Sequence, residues 1–474
     1  MTRHHTGGVG VSPTRHCVLL SAIAALVVAL SAAIYAGAGA AADHGPGHRR
    51  TGDTLAAAPG TGDAAPVSTG VWVGTWAAAP AGGEPGTETD GMAGRTVRNV
   101  VHTSVGGTSA RVTLSNLYGT RPLTITHATL AVAVGTGHSA AADPATLRRL
   151  TFGGATTVVV PAGGQAVSDA TAVPVPPDAD VLVSTYSPTS AGPVTFHPRA
   201  RQTSYVADGE STEDVTGAAF TGTSAYWRYL TALDVLGGEA DGTVVALGDS
   251  ITDGVTSTPG ANRRWPDVLA GRLRAIAATS TSTTGGRATP RYGVVNAGIS
   301  GNRLLVDDPL RGPAGLDRFE RDVLDRPNVK AVVIDLGIND ILRGRRLADP
   351  QAVVDGLRGL TDRAHAHGVK VVGATLTPFR GHRGYTGARE AVRQRVNAAI
   401  RAGGVYDTVV DFDKALRDPY DPRGLRAEYD SGDHLHPSDR GYRKMAGTVD
   451  LTELKGLEVL ERREEPEGSA RAVL

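Results

Sequence analysis

A serine, a histidine and an aspartate in this sequence have the residue types and local settings that nucleophilic catalysis requires. Ser250 follows the apolar run 244–247 and Gly248, at the predicted start of a helix. Asp433 precedes His436 by three residues, so in one turn its carboxylate can accept the Nδ1 hydrogen and leave Nε2 facing outward as a base. Serine is a poor nucleophile at neutral pH, and an adjacent imidazole that removes its proton would let it attack an acyl carbon.

Two further segments contain groups that could stabilise the oxyanion of such a reaction. Gly298 and Gly301 follow the apolar pair 294–295, and a glycine allows a backbone N–H to approach a substrate oxygen. Asn339 follows the run 331–336 and could donate its side-chain amide to developing negative charge.

Each of these segments also has a structural explanation when it is taken alone. Ser250 and Asn339 could cap helices, and the two glycines could be turn residues. The segment from Asp433 to His436 could be a surface turn with a satisfied histidine. The chemical interpretation therefore depends on the four segments meeting at one place.

The second half of the sequence predicts the elements that would bring them together. Apolar, β-branched runs alternate there with helical stretches, which is typical of a parallel sheet covered on both faces. The runs lie at 244–247, 294–295, 331–336, 369–376 and 409–412. In open parallel sheets ligands bind beyond the carboxyl ends of the strands, where Ser250, Gly301 and Asn339 fall. Residues spaced by four predict the buried faces of two intervening helices. They are Trp265, Leu269 and Leu273 in one helix, and Ala388, Val392, Val396 and Ile400 in the other.

In the first half of the sequence the apolar residues recur with a different period. Between residues 71 and 238 apolar residues mostly alternate with polar ones, as at 110–114, 123–126 and 181–185, with Gly, Pro, Asn and Asp clusters between the runs. Short alternating strands predict an antiparallel, all-β sandwich. We therefore expect a β-sandwich accessory domain at 70–238 and a second domain at 243–462.

In this order, the four segments resemble the sequence blocks of the SGNH hydrolase superfamily, also called GDSL-type esterases and lipases. The resemblance covers roughly residues 243–460 and implies a three-layer α/β/α, flavodoxin-like domain with a parallel sheet. It implies that Ser250 is the nucleophile, His436 the general base and acid, and Asp433 the residue that orients the histidine. The implied oxyanion donors are the backbone N–H groups of Ser250 and Gly301 and the side-chain amide of Asn339.

The resemblance implies a secreted, two-domain serine esterase that forms an acyl-enzyme. Its expected substrate is a small ester or an acylated polysaccharide, with carbohydrate acetyl esters slightly favoured over lipid esters because no long apolar lid segment is evident. Two alternatives stay open: a cell-surface carbohydrate-binding protein with an inactive hydrolase domain, and an acyltransferase on the same scaffold. The aromatic residues that could stack on sugars are more simply explained as core. They are Trp72, Trp76, Tyr226 and Trp227.

Composition excludes several other classes of protein. The 474 residues are 41% hydrophobic and 20% charged, with Lys+Arg 48 against Asp+Glu 48, which excludes general disorder and disfavours nucleic-acid binding. No Gly-Lys-Ser/Thr follows 248–254 and no dinucleotide fingerprint is present, so no cofactor is expected. His434 and His436 lack a separate cluster of matching ligands, so no metal is expected either.

The N-terminal segment predicts export. Arg3 and Arg15 precede the uncharged stretch 18–36, and small residues follow it, which indicates a signal peptide or an uncleaved signal anchor over 1–42. A flexible linker at 43–69 and a solvated tail at 463–474 are predicted from their composition. The expected location is extracellular or anchored at the outer face of the cell membrane, with membrane contact only if this segment is retained.

Overall fold

The computed structural model describes residues 70–135, 139–237, 240–279, 291–344, 346–451 and 454. The predicted signal segment at 1–42, the linker at 43–69 and the tail at 463–474 lie outside these described residues. Among the helices of the described ranges, none is both long enough and apolar enough to span a bilayer.

Short antiparallel strands make up the first half of the described chain. Alternating apolar and polar residues form such strands because successive side chains point to opposite faces of a sheet. The strands are β1 (Val71–Ala77), β2 (Gly82–Gly83), β3 (Arg95–His102), β4 (Gly107–Ser115), β5 (Leu123–Ile125), β6 (His127–Val132), β7 (Arg148–Arg149), β8 (Val158–Val160), β9 (Gln165–Val167), β10 (Thr171–Val175), β11 (Asp180–Ser187), β12 (Thr195–His197), β13 (Ser204–Asp208), β14 (Gly222–Ser224), β15 (Trp227–Arg228) and β16 (Leu230–Gly237).

The two larger antiparallel sheets pack against each other over one apolar core. One has the strand order β1-β16-β4-β10, with β9 also paired to β4, and the other has the order β14-β13-β3-β11-β6-β7. Val73 and Val112 of the first sheet belong to the same buried cluster as Val101 and Leu130 of the second. The β-sandwich predicted from the alternation is confirmed.

From residue 242 onward the strands pair parallel. The sheet contains β17 (Gly242–Gly248), β18 (Tyr292–Gly298), β19 (Val329–Asp335), β20 (Lys370–Ala374) and β21 (Thr408–Val410), in the order β18-β17-β19-β20-β21. In chain order this is 2-1-3-4-5, the order of flavodoxin-like folds. The connection from β17 runs to β18 on one side, and the connection from β19 runs to β20 on the other, so the carboxyl ends of β17 and β19 border a crevice.

Helices cover both faces of the parallel sheet, as predicted. Val245 of β17 packs in the cluster that contains Leu357, whereas Val244 faces the cluster that contains Leu269. The helices are α1 (Ser250–Asp253), α2 (Trp265–Thr279), α3 (Gly315–Phe319) with a π-helical turn after it (Glu320–Leu324), α4 (Ile338–Arg343), α5 (Pro350–His365), α6 (Gly387–Arg401), α7 (Phe412–Leu416) and α8 (Asp439–Thr448).

The predicted buried helix faces are correct except at one residue. Trp265, Leu269 and Leu273 on α2 are buried, and so are the last three predicted residues of α6. Ala388 is exposed instead. It lies in the first turn of α6, so the spacing of four residues identifies the buried apolar face only from Val392 onward.

The two halves make close contact through β1. The Gly74 N–H donates to Thr243 Oγ1 at 2.9 Å, and the Val294 N–H donates to Ser104 Oγ at 3.0 Å. A Cβ atom on Gly74 would lie 2.9 Å from the Val295 side chain, so the glycine allows the strands to approach. Both halves lie in one compact unit. The domain limits 70–238 and 243–462 stay predictions.

Candidate active site

Ser250 is the first residue of a short helix that begins directly after the first parallel strand. Asp249 caps this helix, because its Oδ1 accepts the Ile251 N–H at 3.0 Å. The first N–H groups of a helix have no partner within it, so the Ser250 N–H can reach a substrate oxygen. The helix ends at Gly254, whose φ of +87° favours glycine.

Ser250, His436 and Asp433 form one hydrogen-bonded chain of side chains. His436 Nε2 lies 2.8 Å from Ser250 Oγ, and His436 Nδ1 lies 2.6 Å from Asp433 Oδ2. An ionised carboxylate can only accept hydrogen bonds. Nδ1 therefore carries the hydrogen, and Nε2 is left to accept the proton of the serine hydroxyl.

Asp433 is held in its ionised form. Partial burial raises the pKa of its carboxyl group, but hydrogen bonds from the His436 ring and backbone, and the attraction of His436, outweigh this effect. The pKa of Asp433 therefore lies well below its usual value. Its Oδ1 also accepts the Leu435 and His436 N–H groups at 3.0 and 2.8 Å, which fixes the direction of the carboxylate.

Contacts with the segment after α1 hold the histidine loop beside the serine. Tyr442 Oη donates to the Val255 carbonyl oxygen at 2.6 Å, and Thr256 Oγ1 donates to the Pro437 carbonyl oxygen at 2.8 Å. Asp439 accepts the Thr258 N–H at 2.9 Å. These bonds join residues more than 180 positions apart in the chain, since Thr256 and Pro437 are separated by 181.

The three groups predicted as oxyanion donors lie at the ends of β17, β18 and β19. Asn339 Nδ2 donates to Asp249 Oδ2 at 3.1 Å, next to Ser250. Gly301 follows β18 in a loop whose Ile299 N–H donates to the Gly248 carbonyl oxygen at 3.1 Å. The φ of Gly301 is +80°, a value that favours glycine. The tertiary structure thus brings all the predicted site segments to one edge of the sheet.

Comparison with known families finds a match for the parallel-sheet region. Residues 246–444 match the model of the GDSL-like Lipase/Acylhydrolase family. This match supports the SGNH superfamily that the sequence predicted, and with it an esterase or lipase activity. The matched region is called the GDSL domain below.

Several solved structures are similar to the GDSL domain. A GDSL-like lipase from Bacteroides thetaiotaomicron is 20% identical, with a TM-score of 0.31, over 46% of this chain and 88% of that one. A carbohydrate acetylesterase from Sinorhizobium meliloti is 17% identical, with a TM-score of 0.33, over 45% and 99%. An acetyl xylan esterase is 20% identical, with a TM-score of 0.32, over 44% and 96%. No curated protein matches the chain.

A buried arginine that the sequence did not single out ties together two strand ends of the GDSL domain. Arg318 Nη2 donates to the Gly248 carbonyl oxygen at 2.9 Å, and Nη1 donates to the Ala297 carbonyl oxygen at 2.7 Å. Its Nε donates to Asn302 Oδ1 at 3.0 Å. No spacing in the sequence marks this residue, because its partners come from three different segments.

Two buried carboxyl groups lie beneath Ser250. Burial raises the pKa of Asp249, and the neighbouring Asp335 raises it further. Burial also raises the pKa of Asp335, although Thr252 Oγ1 donates to its Oδ2 at 3.3 Å. The sequence shows that Asp249 directly precedes Ser250, but only the tertiary structure shows that its carboxylate accepts a hydrogen bond from Asn339.

The sandwich also reaches the site, through a second histidine. His197 Nδ1 lies 2.8 Å from the Ala79 carbonyl oxygen, and His197 Nε2 lies 3.1 Å from Asp253 Oδ1. Asp253 Oδ2 accepts the Ser300 N–H at 3.1 Å and the Ser300 hydroxyl. His197 therefore supports the residue directly before Gly301, and this role has no signal in the local sequence.

His434 and one cavity of the described chain lie apart from this hydrogen-bonded chain. His434 Nδ1 lies 2.6 Å from Asp430 Oδ2. Within the described ranges, no group of three or more His, Cys, Asp or Glu side chains is arranged to hold a metal ion. A cavity of about 490 Å³ lies between the halves and is lined by Val105, Leu273 and Tyr292 among others. None of the predicted site residues lines it, so its size does not make it the catalytic site.

Proposed function

We propose that this protein is a secreted serine esterase that cleaves carboxylic esters through an acyl-enzyme on Ser250. The observation that carries the proposal is the hydrogen-bonded chain in which His436 lies 2.8 Å from Ser250 Oγ and 2.6 Å from Asp433. Both distances are within the range for proton transfer along hydrogen bonds.

The reaction follows from the direction of these bonds. Nε2 of His436 takes the hydroxyl proton as Ser250 Oγ attacks the acyl carbon, and the resulting imidazolium is stabilised by ionised Asp433. The imidazolium then protonates the leaving alcohol as the ester C–O bond breaks. Water, deprotonated by the same imidazole, attacks the acyl-enzyme and releases the acid and free Ser250.

Three donors would stabilise the oxyanion that forms in each half-reaction. They are the N–H groups of Ser250 and Gly301 and the Nδ2 group of Asn339. Since Asn339 also donates to Asp249, its amide is oriented before substrate binds, which is the condition under which such a donor is most effective.

The favoured substrate class is a carbohydrate acetyl ester. The similar structures include a carbohydrate acetylesterase and an acetyl xylan esterase, and those activities are proposed for this chain as the sequence suggested. Trp76 and Trp227 are buried and stack edge to face at 4.9 Å, so they are core residues and do not support a sugar-binding platform on the sandwich.

Hydrolysis of 4-nitrophenyl acetate by the purified protein tests the proposal. We expect Ser250→Ala to lower kcat about 10⁴-fold or more, because the nucleophile is removed. Activity that survives this change would refute the assignment. Glycan binding without turnover of any ester would favour the inactive binding protein, and ester products formed with added sugar acceptors would favour the acyltransferase. Cell fractionation tests secretion, which is proposed from residues 1–42 alone.

A further inference from the structure

Two arginine side chains converge on the glycine that we propose as an oxyanion donor. A Cβ atom on Gly301 would lie 2.7 Å from Arg311 Nη1 and 3.0 Å from Arg343 Nη2. Both guanidinium groups therefore contact this glycine, and any larger residue would displace them. The loop after β18 and helix α4 each supply one of the two groups.

Arg343 is also connected to a second proposed oxyanion donor. Its Nε donates to Asn339 Oδ1 at 2.9 Å, while Asn339 Nδ2 donates to Asp249. Because only Nε is used in this bond, the terminal nitrogens of Arg343 stay directed to the space beside Gly301. The guanidinium group is thus oriented without a ligand.

Neither arginine has a carboxylate partner in the described part of the chain. Buried arginines elsewhere do: Arg318 pairs with Asp322, and Arg393 pairs with Asp413. Partial burial and the positive charge of Arg311 lower the pKa of Arg343, although Asp308 acts in the opposite direction.

Two guanidinium groups held side by side repel each other, and an anion that binds both relieves this repulsion. A carboxylate is well suited to this place, because guanidinium groups donate two parallel hydrogen bonds to its oxygens. The arginines lie beside the oxyanion donors, so an anion bound there would belong to the molecule being cleaved.

We propose that Arg311 and Arg343 bind a carboxylate carried by the substrate, so that the preferred ester is an acidic one. This inference rests on the proposed esterase function. The carboxylate could belong to the acyl group or to the alcohol, such as a uronic acid, and the same two arginines would recognise either.

Matched pairs of acidic and neutral esters test the inference. The acyl side is tested with mono(4-nitrophenyl) adipate and its neutral methyl ester. The alcohol side is tested with an acetylated methyl glucuronoside and the corresponding acetylated methyl glucoside. For one of the two pairs we expect the wild-type kcat/KM to favour the acid by about tenfold or more, as expected for charge-assisted hydrogen bonds. The pair that shows the preference identifies the side that carries the charge.

Variants then assign the preference to the arginines. Arg311→Gln should bring the ratio of acid to neutral kcat/KM close to one, and so should the double variant with Arg343→Gln. Arg395→Gln is the matched control, because it removes an exposed arginine on α6 and leaves the two guanidinium groups beside Gly301 unchanged. If Arg311→Gln is unstable, the inhibition of 4-nitrophenyl acetate hydrolysis by adipate, compared with neutral adipamide, is measured in the wild type and in Arg343→Gln, and the preference for adipate should be lost in the variant.

Several outcomes would overturn the inference. They are equal turnover of acidic and neutral esters by the wild type, an equal loss on both esters in Arg311→Gln, and the same fall in the acid-to-neutral ratio in Arg395→Gln as in Arg311→Gln. In each case continued hydrolysis of the neutral ester would leave the proposed esterase function intact. Absence of hydrolysis of every ester would instead reject that function.

Discussion

Two histidine–aspartate pairs support the candidate site, and they differ in burial and in sequence separation. His436 and Asp433 are three residues apart, and the Asp433 side chain is 45% exposed. His197 and Asp253 are 56 residues apart, and their side chains are only 4% and 3% exposed. The first pair connects to the Ser250 hydroxyl, whereas the second connects to the loop that carries Gly301.

The difference separates proton transfer from positioning. A histidine that takes a proton from serine must be reachable by substrate and water, and the partly open His436 pair meets this condition. A buried hydrogen-bonded pair has no such access, but removing one partner leaves a buried polar group without its hydrogen bond, so the geometry of the pair is strongly held. We therefore expect the first pair to govern the chemical step and the second to govern the placement of an oxyanion donor.

The largest effect is expected from His436→Ala. Without a base for Ser250 and for the water that attacks the acyl-enzyme, kcat on 4-nitrophenyl acetate should fall about 10⁴-fold or more. His434→Ala is the control, because His434 lies two residues away and bonds to Asp430 instead. Steady-state kinetics check this, and a variant that retains a tenth of wild-type kcat would contradict the assigned base.

A smaller effect is expected from Asp433→Asn. The amide cannot stabilise the imidazolium and can leave the ring in the wrong tautomer, so kcat should fall about 10²- to 10⁴-fold. Asp430→Asn provides the comparison, since that carboxylate holds His434. Equal kcat values in the two variants would show that Asp433 does not orient His436 or stabilise its imidazolium in the reaction.

The buried pair is tested with His197→Phe. Loss of the support for Asp253 should shift Ser300 and Gly301, and kcat should fall about 10- to 100-fold with little change in KM. His102→Phe is the matched control. Like His197, His102 is a histidine of the sandwich that bonds to an aspartate, but its partner at 2.8 Å is Asp180, which lies in the sandwich itself.

Thermal unfolding of both variants separates a loss of stability from a loss of placement. If both variants lose kcat equally, a positioning role for His197 is wrong. Should His197→Phe fail to fold, Ser300→Ala weakens the same connection, because it removes the hydroxyl bond to Asp253 and leaves the Ser300 N–H bond and the His197 pair in place. A wild-type kcat in Ser300→Ala would likewise count against the role.

The last prediction concerns stability instead of kcat and extends the comparison to buried carboxyl groups without a histidine. Asp335 has its pKa raised to about 7 in the folded state, against about 4 in an unfolded chain. The folded protein therefore keeps a proton that the unfolded chain loses, and stability should fall as the pH rises from about 4 through 7.

Urea unfolding midpoints at several pH values check this prediction. Asp335→Asn should reduce the loss of stability between about pH 4 and pH 7. Asp433→Asn should instead reduce the loss on the acidic side, because the lowered pKa of Asp433 makes its contribution disappear as the pH falls. If the urea midpoint of Asp335→Asn falls between about pH 4 and pH 7 as much as that of the wild type, the folded state does not hold this proton.

Sequence patterns predicted the elements better than their ends. The run 409–412 was expected to be a strand, but β21 ends at Val410 and α7 begins at Phe412. The reason is Asp411, whose side chain accepts the Lys414 N–H and caps the helix. An apolar run shows that a segment is buried, whereas a cap of this kind depends on one side chain.

The sequence by itself determined which side chains could do chemistry and which half of the chain would form which kind of sheet. Three local properties carry this information, and none of them requires knowledge of contacts in the folded chain. They are the alternation of apolar and polar residues, the uninterrupted apolar runs, and a histidine three residues after an aspartate. Only the tertiary structure decided that Ser250 meets His436, that His197 supports the loop of Gly301, and that Arg311 and Arg343 share one place. Those pairings join distant segments, and packing between sheets and helices selects them, so no local pattern encodes them.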